Sequence, residues 1–158
     1  MILSGKSIQK LGIISPHESR GVSHGLSYGE DYAGYSIRLA APIMLEKNYL
    51  TLGVSLEYFC MPTNIIGRIC DKSTNARQGI LVQNTIIEPG WRGYLTLEIS
   101  YVPLRDIICS SRYYHLFAGT PIAQVIFEEI DYHVEGYKGK YQDQPQTPVY
   151  AKLGHEHE

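Results

Sequence analysis

Residues 71–100 read DKSTNARQGILVQNTIIEPGWRGYLTLEIS, and the last seven of these residues show the pattern that decides the fold. In YLTLEIS, residues 94–100, side chains alternate in a way that predicts a half-buried β-strand. The odd-numbered residues would face the core, and the even-numbered ones, with Glu98 among them, would face away from it. A carboxylate on that outer face is either a solvated side chain or part of a site, because burying it without a partner is costly.

The rest of the chain favours the same class of fold. Its 158 residues are 44% hydrophobic and include 13 Tyr, 15 Gly and 8 Pro, which indicates one β-rich domain with tight turns. We therefore expect a mainly β protein with one or two short helices. The segments predicted to be strands are residues 35–40, 49–59, 65–70, 80–87, 94–100, 107–109 and 122–130.

Two segments have helical features. Ser4 is a good N-cap for a first helix, which would place Ile8 and Leu11 on one face and end near Gly12. Asp71 is positioned to cap a second helix of one or two turns.

The C-terminal part of the chain has a different composition. From Gly136 onward it is polar and rich in Gly, Pro and Gln, which is typical of a segment outside the core. The sequence thus predicts a β domain at residues 1–135 and a flexible C-terminal arm at residues 136–158.

The charge and hydropathy patterns limit the possible partners. A net charge of -2 and a pI near 6.3 give no general attraction for nucleic acid or for an anionic membrane. No apolar run approaches the roughly 18 residues that span a bilayer, and MILSGKSIQ lacks the apolar region of a signal peptide. A cytoplasmic protein is the expectation. Cys60, Cys70 and Cys109 lack CxxC spacing, which favours buried, reduced thiols.

Several polar residues of the opening stretch could form a site. Glu88 and Glu98 lie ten residues apart, at the two ends of one segment that begins with a Pro-Gly turn. Ser73 and Arg77 have i, i+4 spacing on the predicted second helix, and Lys72 is adjacent to them. Such residues at a helix start can hold a phosphate, although many capped surface helices carry the same residues.

Four stretches of the chain together carry a resemblance to a known family. KSTNARQGI followed by EPGWRGYLTLEIS is similar to the central signature of the dCTP deaminase branch of the dUTPase-like superfamily. MILSGKSIQKLGII resembles its N-terminal capped helix, AGTPIAQVIFEEI a late strand, and GKYQDQPQTP its C-terminal arm. The resemblance implies a distorted β-barrel or jelly-roll subunit of the β-clip type. It also implies a homotrimer with active sites at subunit interfaces, which binds a deoxycytidine nucleotide together with Mg2+ held through the phosphates.

The resemblance also implies roles for individual residues. Glu98 would be the catalytic general acid and base, and Ser73 and Arg77 of a neighbouring subunit would lie near the triphosphate and the catalytic water. Trp91 would lie under the sugar, or would be a buried anchor of the turn. The other residues implied in substrate binding, some through backbone groups that read the base and some through the arm that closes over the site, are Lys72, Thr74, Gln83, Asn84, Thr85, Glu88, Tyr137, Lys140, Tyr141 and Gln144.

The implied chemistry needs one carboxylate and no zinc. Attack of water on C4 of cytosine requires a group that takes a proton from water and then delivers protons in sequence to the ring nitrogen and to the departing ammonia. Zinc deaminases use an H-x-E element together with P-C-x-x-C. His133 and Glu135 spell the first element, but the second is absent from the sequence. The expected activity is thus zinc-independent deamination of dCTP to dUTP, which would supply thymidylate synthesis.

Two departures from the family pattern leave alternatives open. Ser36 stands where the family motif GYDxR has an Asp associated with the metal, and Glu88 replaces the Asp with which dUTPases activate water. The second change favours deamination without pyrophosphate hydrolysis, since an extra methylene displaces the carboxylate. A dUTPase or bifunctional enzyme, and a non-catalytic trimeric nucleotide-binding relative, remain as alternatives. Whether dCTP, dCMP or a modified cytosine nucleotide is the substrate stays open, as does regulation by dTTP.

Overall fold

A computed structural model of the chain describes residues 1–83, 85–104 and 111–153. These residues form a mainly β protein with two short helices, as predicted. The helices are α1 (Gly5–Lys10) and α2 (Ser73–Arg77). The strands are β1 (Ile14–Ser15), β2 (Gly21–Ser23), β3 (Leu26–Glu30), β4 (Tyr35–Arg38), β5 (Ile43–Glu46), β6 (Leu50–Cys60), β7 (Ile65–Asp71), β8 (Ile80–Val82), β9 (Ile86–Ile87), β10 (Arg92–Tyr101), β11 (Tyr113–Leu116) and β12 (Pro121–Glu129).

The strands form three antiparallel sheets. The first has the order β1-β6-β10-β8, the second pairs β11 with β5, and the third has the order β2-β3-β4-β12-β7-β9. Phe59 of β6 packs against Phe127 of β12 with ring centroids 6.4 Å apart, and both are fully buried. The two larger sheets therefore share one apolar core, into which Leu97 and Ile99 of β10 also point.

A buried ion pair also joins the two larger sheets. The Arg38 Nε of β4 donates to Glu57 Oε1 of β6 at 2.8 Å, and the Arg38 backbone N–H donates to Glu57 Oε2 at 2.9 Å. Arg38 Nη2 donates to Glu18 Oε1 at 2.8 Å, and the guanidinium lies 4.3 Å from the Tyr28 ring centroid. Glu57 has no exposed surface, so its charge depends on these contacts for compensation.

Most predicted strands are present, but the segment 80–87 is not one strand. It divides into β8 and β9, which belong to different sheets. The Gln83 N–H still donates to the Glu98 carbonyl at 2.8 Å, and beyond that bond the chain crosses to β7. Strands β1, β2, β3, β5 and β11, which have two to five residues each, were not predicted. The strand predicted at 107–109 lies outside the described residues.

The helix predictions are right in position and wrong in two details. Ser4 caps α1 by accepting a hydrogen bond from the Ser7 N–H, as expected. Leu11, however, is the C-cap residue and is 50% exposed, because the helix ends before it can turn this side chain inward. Asp71 is the last residue of β7 and does not cap α2, since its carboxylate accepts from the Val82 N–H at 2.7 Å.

Two further features concern the surface. No helix in the described ranges is long and apolar enough to cross a membrane. Cys60 and Cys70 are free thiols, and Cys60 at the end of β6 is exposed, in contrast to the predicted burial. Cys109 lies outside the described residues.

Candidate active site

A cavity of about 740 Å³ lies beside β10 and contains Glu98. Strand β6 contributes apolar residues to its wall, the segment before β10 contributes polar and aromatic ones, and the C-terminal arm covers it. Among the residues predicted for the site, those that line this cavity are Thr85, Glu88, Trp91, Glu98, Tyr137, Tyr141 and Gln144. The structure thus brings Glu88 and Glu98 into the wall of one cavity.

Glu98 is held at a defined position in the wall. Its neighbour across the strand pair is Leu52 of β6, and its carbonyl accepts the hydrogen bond from the Gln83 N–H on the other side. Burial raises the pKa of the Glu98 carboxyl above its ordinary value. A carboxyl of this kind exchanges a proton with a bound molecule more readily near neutral pH than an ordinary surface glutamate does.

The turn before β10 forms the next part of the wall. Gly90 has φ +76°, and a Cβ there would lie 2.6 Å from the Gly136 Cα, so this turn requires glycine. Trp91 is 6% exposed, packs on Phe59 with ring centroids 6.4 Å apart, and its Nε1–H donates to the Tyr141 carbonyl at 2.7 Å. The indole is therefore a buried anchor of the turn and also part of the cavity wall.

The C-terminal arm lies along β10. The Tyr94 N–H donates to the Gln144 carbonyl at 3.0 Å, and Thr96 Oγ1 donates to Gln144 Oε1 at 3.1 Å. The Val149 N–H donates to Thr96 Oγ1 at 2.9 Å. At Gly93, where φ is +142°, a Cβ would lie 2.7 Å from the Gln144 nitrogen, so glycine allows the arm to come this close. Segment 149–151 consequently becomes part of the cavity wall.

The residues of α2 lie elsewhere. Ser73, Thr74 and Arg77 are exposed, and none of them lines the cavity. Lys72 is half-buried, and its Nζ donates to Ser36 Oγ at 2.8 Å. Burial lowers the pKa of the Lys72 ammonium. A single chain therefore does not bring this group of residues to Glu98.

Three further predicted residues lie outside the cavity wall or outside the described residues. Gln83 is exposed, and its Oε1 accepts a hydrogen bond from Ser100 Oγ. Lys140 is also exposed, with its Nζ 5.3 Å from the centroid of the Tyr141 ring. Asn84 is not among the described residues.

Sequence reasoning missed the apolar side of the cavity. Leu50, Leu52 and Ile69 line it, together with Val149, Tyr150 and Ala151 of the arm. Leu52 could have been found by pairing the alternating strands 49–59 and 94–100, but the register between them is not written in either strand alone. The described residues include no group of three or more His, Cys, Asp or Glu side chains that could hold a metal ion.

Comparison with solved structures places the chain in the class of dUTPase-like folds. A 2'-deoxycytidine 5'-triphosphate deaminase from Agrobacterium tumefaciens matches with a TM-score of 0.63 at 16% identity, covering 81% of this chain and 47% of that chain. A variant dUTPase from phage phi11 of S. aureus, described with a structural Mg(II) ion, matches with a TM-score of 0.53 at 17% identity, covering 79% of this chain and 94% of that chain. At these identities the likeness shows the fold alone.

Sequence comparison identifies the family. The family model for dCTP deaminase-like proteins matches residues 5–130. A curated dCTP deaminase from Gemmatimonas aurantiaca is 34% identical over 170 residues, covering 84% of this chain and 87% of the relative. The chain belongs to the dCTP deaminase-like family, and the resemblance found from its motifs is confirmed.

Proposed function

We propose that this protein deaminates dCTP by hydrolysis, without zinc, and releases dUTP and ammonia. The observation that supports this most directly is the position of Glu98, a carboxyl with a raised pKa in the wall of a cavity large enough for a nucleotide. Membership of the dCTP deaminase-like family and the curated dCTP deaminases similar to the chain support the same substrate.

The reaction can proceed with Glu98 as its one proton carrier. The carboxylate takes a proton from water as the oxygen attacks C4 of cytosine, which gives a tetrahedral carbon. Glu98 then delivers that proton to ring N3 and carries the proton of the new C4 hydroxyl to the amino group. Ammonia leaves as the C4–N bond breaks and the C4 carbonyl forms. A raised pKa suits both directions of transfer, because the carboxyl is neither a very weak base nor a very weak acid near neutral pH.

Other cavity residues would position the nucleotide. Trp91 presents its ring to the space where the sugar would lie, and a flat ring close to C2′ leaves no room for a ribose hydroxyl. Thr85 lies on the cavity wall, and backbone groups of residues 83–86 would pair with the edge of the base. We place Tyr137, Tyr141 and Gln144 over the sugar and the phosphates, because these arm residues form the outer wall of the cavity.

The site would be completed by a second subunit. Ser73, Thr74 and Arg77 are exposed on α2, away from their own cavity, which suits a role in the cavity of a neighbouring copy in a homotrimer. There Lys72, Ser73 and Arg77 would meet the triphosphate. Mg2+ would be held through the phosphates. Inhibition by dTTP would then be competition for the same cavity.

A bifunctional activity is the second candidate. Glu88 lines the same cavity as Glu98, so a second carboxylate is available near the bound nucleotide. A water activated by Glu88 could attack the α-phosphate and convert dUTP to dUMP. The longer side chain of glutamate, compared with the aspartate of dUTPases, argues for deamination alone.

Product analysis separates these functions. The protein is incubated with dCTP and Mg2+, and dCTP, dUTP and dUMP are separated by chromatography. We expect dUTP to appear, and Glu98→Gln to reduce its rate by ~10²–10⁴-fold, the usual contribution of positioned proton transfer. Glu135→Gln, a change at an exposed glutamate that does not line the cavity, serves as the matched control and should retain deamination. Formation of dUMP that Glu88→Gln abolishes would favour the bifunctional enzyme, while consumption of dUTP alone would exclude deamination.

A further inference from the structure

The connection between β8 and β9 is fastened at both of its ends. Strand β8 is the edge of its sheet, and the chain leaves it after Val82. It joins the other large sheet at β9, which pairs with residues 67–68 of β7. Thr85 lies between these two strands and lines the cavity. The position of this part of the cavity wall therefore depends on how each end is held.

Asp71, the last residue of β7, holds the end at which the chain leaves β8. The Gln83 N–H donates to the Glu98 carbonyl of β10, so the N–H of the preceding residue, Val82, points away from β10. Among the described residues no other strand pairs with this side of β8. The Asp71 carboxylate accepts from the Val82 N–H at 2.7 Å instead. Because Val82 is buried, water is a poor substitute for this acceptor.

Both points of attachment belong to one strand. Strand β7 pairs with β9 through residues 67–68 and binds the end of β8 through Asp71. Ile69 lies between these two points and lines the cavity. On the opposite side, the bond from Gln83 to the Glu98 carbonyl ties the start of the connection to the strand that carries the catalytic candidate. The connection is thus held between β7 and β10.

We propose that Asp71 is a positioning residue for base recognition, which acts through Val82 to hold the backbone groups of Gln83 and Thr85 against the edge of the cytosine base. The inference rests on the proposed function, which assigns the base to this part of the backbone. Backbone donors and acceptors distinguish one base from another only when they are fixed in place. Loss of the Asp71 contact should therefore weaken binding of the base and leave binding of the phosphates unchanged.

Steady-state kinetics with Asp71→Ala and Asp71→Asn test this role. Alanine removes the acceptor, and we expect KM for dCTP to rise about tenfold with kcat changed by less than about twofold, because contacts to the base act in the bound substrate and in the transition state alike. Asparagine keeps an oxygen that can accept from the Val82 N–H, so it should restore most of the affinity. Asp131→Ala, at an exposed aspartate that does not line the cavity, is the matched control. A fall in kcat alone, or equal effects of alanine and asparagine, would overturn the proposal.

A binding measurement separates this proposal from the proposed function. In the Glu98→Gln background, which slows turnover, dCTP and inorganic tripolyphosphate are titrated calorimetrically into the full chain with and without Asp71→Ala. The affinity for dCTP should fall about tenfold, and that for tripolyphosphate should stay the same. Unchanged affinity for dCTP, or an equal fall for both ligands, would refute the role of Asp71. Failure of the unmodified protein to deaminate dCTP would refute the proposed function and leave this comparison intact.

Amide hydrogen exchange tests whether the effect of Asp71→Ala is local. The Val82 N–H should exchange at least about tenfold faster in this variant, because it loses its acceptor. The amides of Leu97 and Ile99, which are fully buried, should keep their protection. Faster exchange throughout the core would show that Asp71 stabilises the whole fold rather than this connection, and would overturn the proposal.

Discussion

Leu52 on β6 lies directly across from Glu98 on β10, and both side chains line the same cavity. Side chains at paired positions of an antiparallel sheet project to the same face and touch. The leucine therefore helps to exclude water from the carboxyl, and burial is the main reason that the Glu98 pKa is raised. The acid–base properties of Glu98 thus depend on an apolar residue from a distant part of the sequence.

Replacing Leu52 with Asn should shift the pH dependence of the enzyme. In the proposed mechanism the ionised form of Glu98 accepts the proton from water, so kcat/KM should rise as pH passes upward through the pKa of this carboxyl. Asn admits water and a polar partner, which lowers that pKa, and the rise should move to lower pH by about 0.5–1 unit. The measurement is a profile of kcat/KM against pH.

Two matched variants define the result for Leu52. Leu52→Met preserves the apolar contact and should keep the profile of the unmodified protein. Glu88→Gln removes the other carboxylate of the cavity, and the shift should persist in that background. A lower rate at every pH with the same inflection would mean that Leu52 acts through packing alone.

Glu98→Gln should stabilise the fold at neutral pH. Because the folded-state pKa of Glu98 is raised above its ordinary 4.5, the folded protein binds more protons, and stability falls as pH rises from that value through the folded pKa. Glutamine does not ionise, so the Glu98→Gln variant does not lose this stability as the pH rises. For a carboxyl still partly in contact with water, we expect a gain of at most about 1 kcal/mol, or ~2–4 °C in Tm.

Thermal unfolding at two pH values checks the sign of this effect. The gain from Glu98→Gln should be present at pH 8 and should disappear near pH 4, where the carboxyl is protonated in both states. Glu88→Gln, a change at an exposed carboxylate, should have no comparable effect. A gain that is the same at both pH values would show that ionisation is not its cause.

Local sequence patterns predict the long elements of this fold and fail at the short ones. Strands β6, β7, β10 and β12 have enough alternating residues to be found without the structure. The β2–β3 hairpin has a two-residue turn in which His24 and Gly25 have φ of 51° and 75°, the conformation of the tight turns usually made by Asn-Gly. His-Gly is a weak signal for such a turn, so this hairpin was missed.

The site, like the fold, could be predicted only where the local sequence pattern carries the information. The outward direction of Glu98 could be predicted from the alternation in one strand, whereas its role in the site was predicted from the family resemblance. The position of Leu52 in the cavity wall could not be predicted, because it depends on the pairing of Leu52 with Glu98, which lies far away along the chain. The apolar run at 80–87 suggested one strand, since nothing in its own composition shows that the chain changes sheets after Gln83. The roles proposed for Ser73 and Arg77 would depend on a second subunit, which is a further step from the sequence of one chain.

Ser36 stands where the family motif has an aspartate, and variants at this position test whether another residue replaces that carboxylate. Its side chain is fully buried, donates to Asp31 Oδ2 at 2.5 Å and accepts from Lys72 Nζ at 2.8 Å. Asp31 thus supplies from a neighbouring turn the carboxylate that position 36 lacks. Ser36→Asp would place two carboxylates together, and we expect a loss of about 1–3 kcal/mol, the cost of an uncompensated buried polar group.

A double variant that exchanges the residues at positions 31 and 36 is the control for Ser36→Asp. Combining Ser36→Asp with Asp31→Ser leaves one carboxylate beside Lys72, and most of the lost stability should return. Chemical denaturation of the single variants and of the exchanged pair gives the coupling free energy. Additive losses would contradict the idea that Asp31 compensates for Ser36.

Trp91 makes the position of the arm measurable in solution. It is the only tryptophan of the chain, and its indole N–H donates to the carbonyl of Tyr141, a residue of the arm. Removing residues 137–158 exposes the indole to water, so its emission should move to longer wavelength. Circular dichroism of the shortened chain should still show the β fold, because the core residues lie before the arm.

A point variant tests whether the arm covers Trp91 without removing the arm. Gln144→Ala removes the side-chain bond with Thr96 and should loosen the arm, giving an emission maximum between those of the full and shortened chains. Adding dCTP should return the emission toward that of the full chain, because a bound nucleotide gives the arm new contacts. Identical spectra for the full and shortened chains would mean that the arm does not cover Trp91 in solution, and the assignment of Tyr141 to the cavity wall would fail with it.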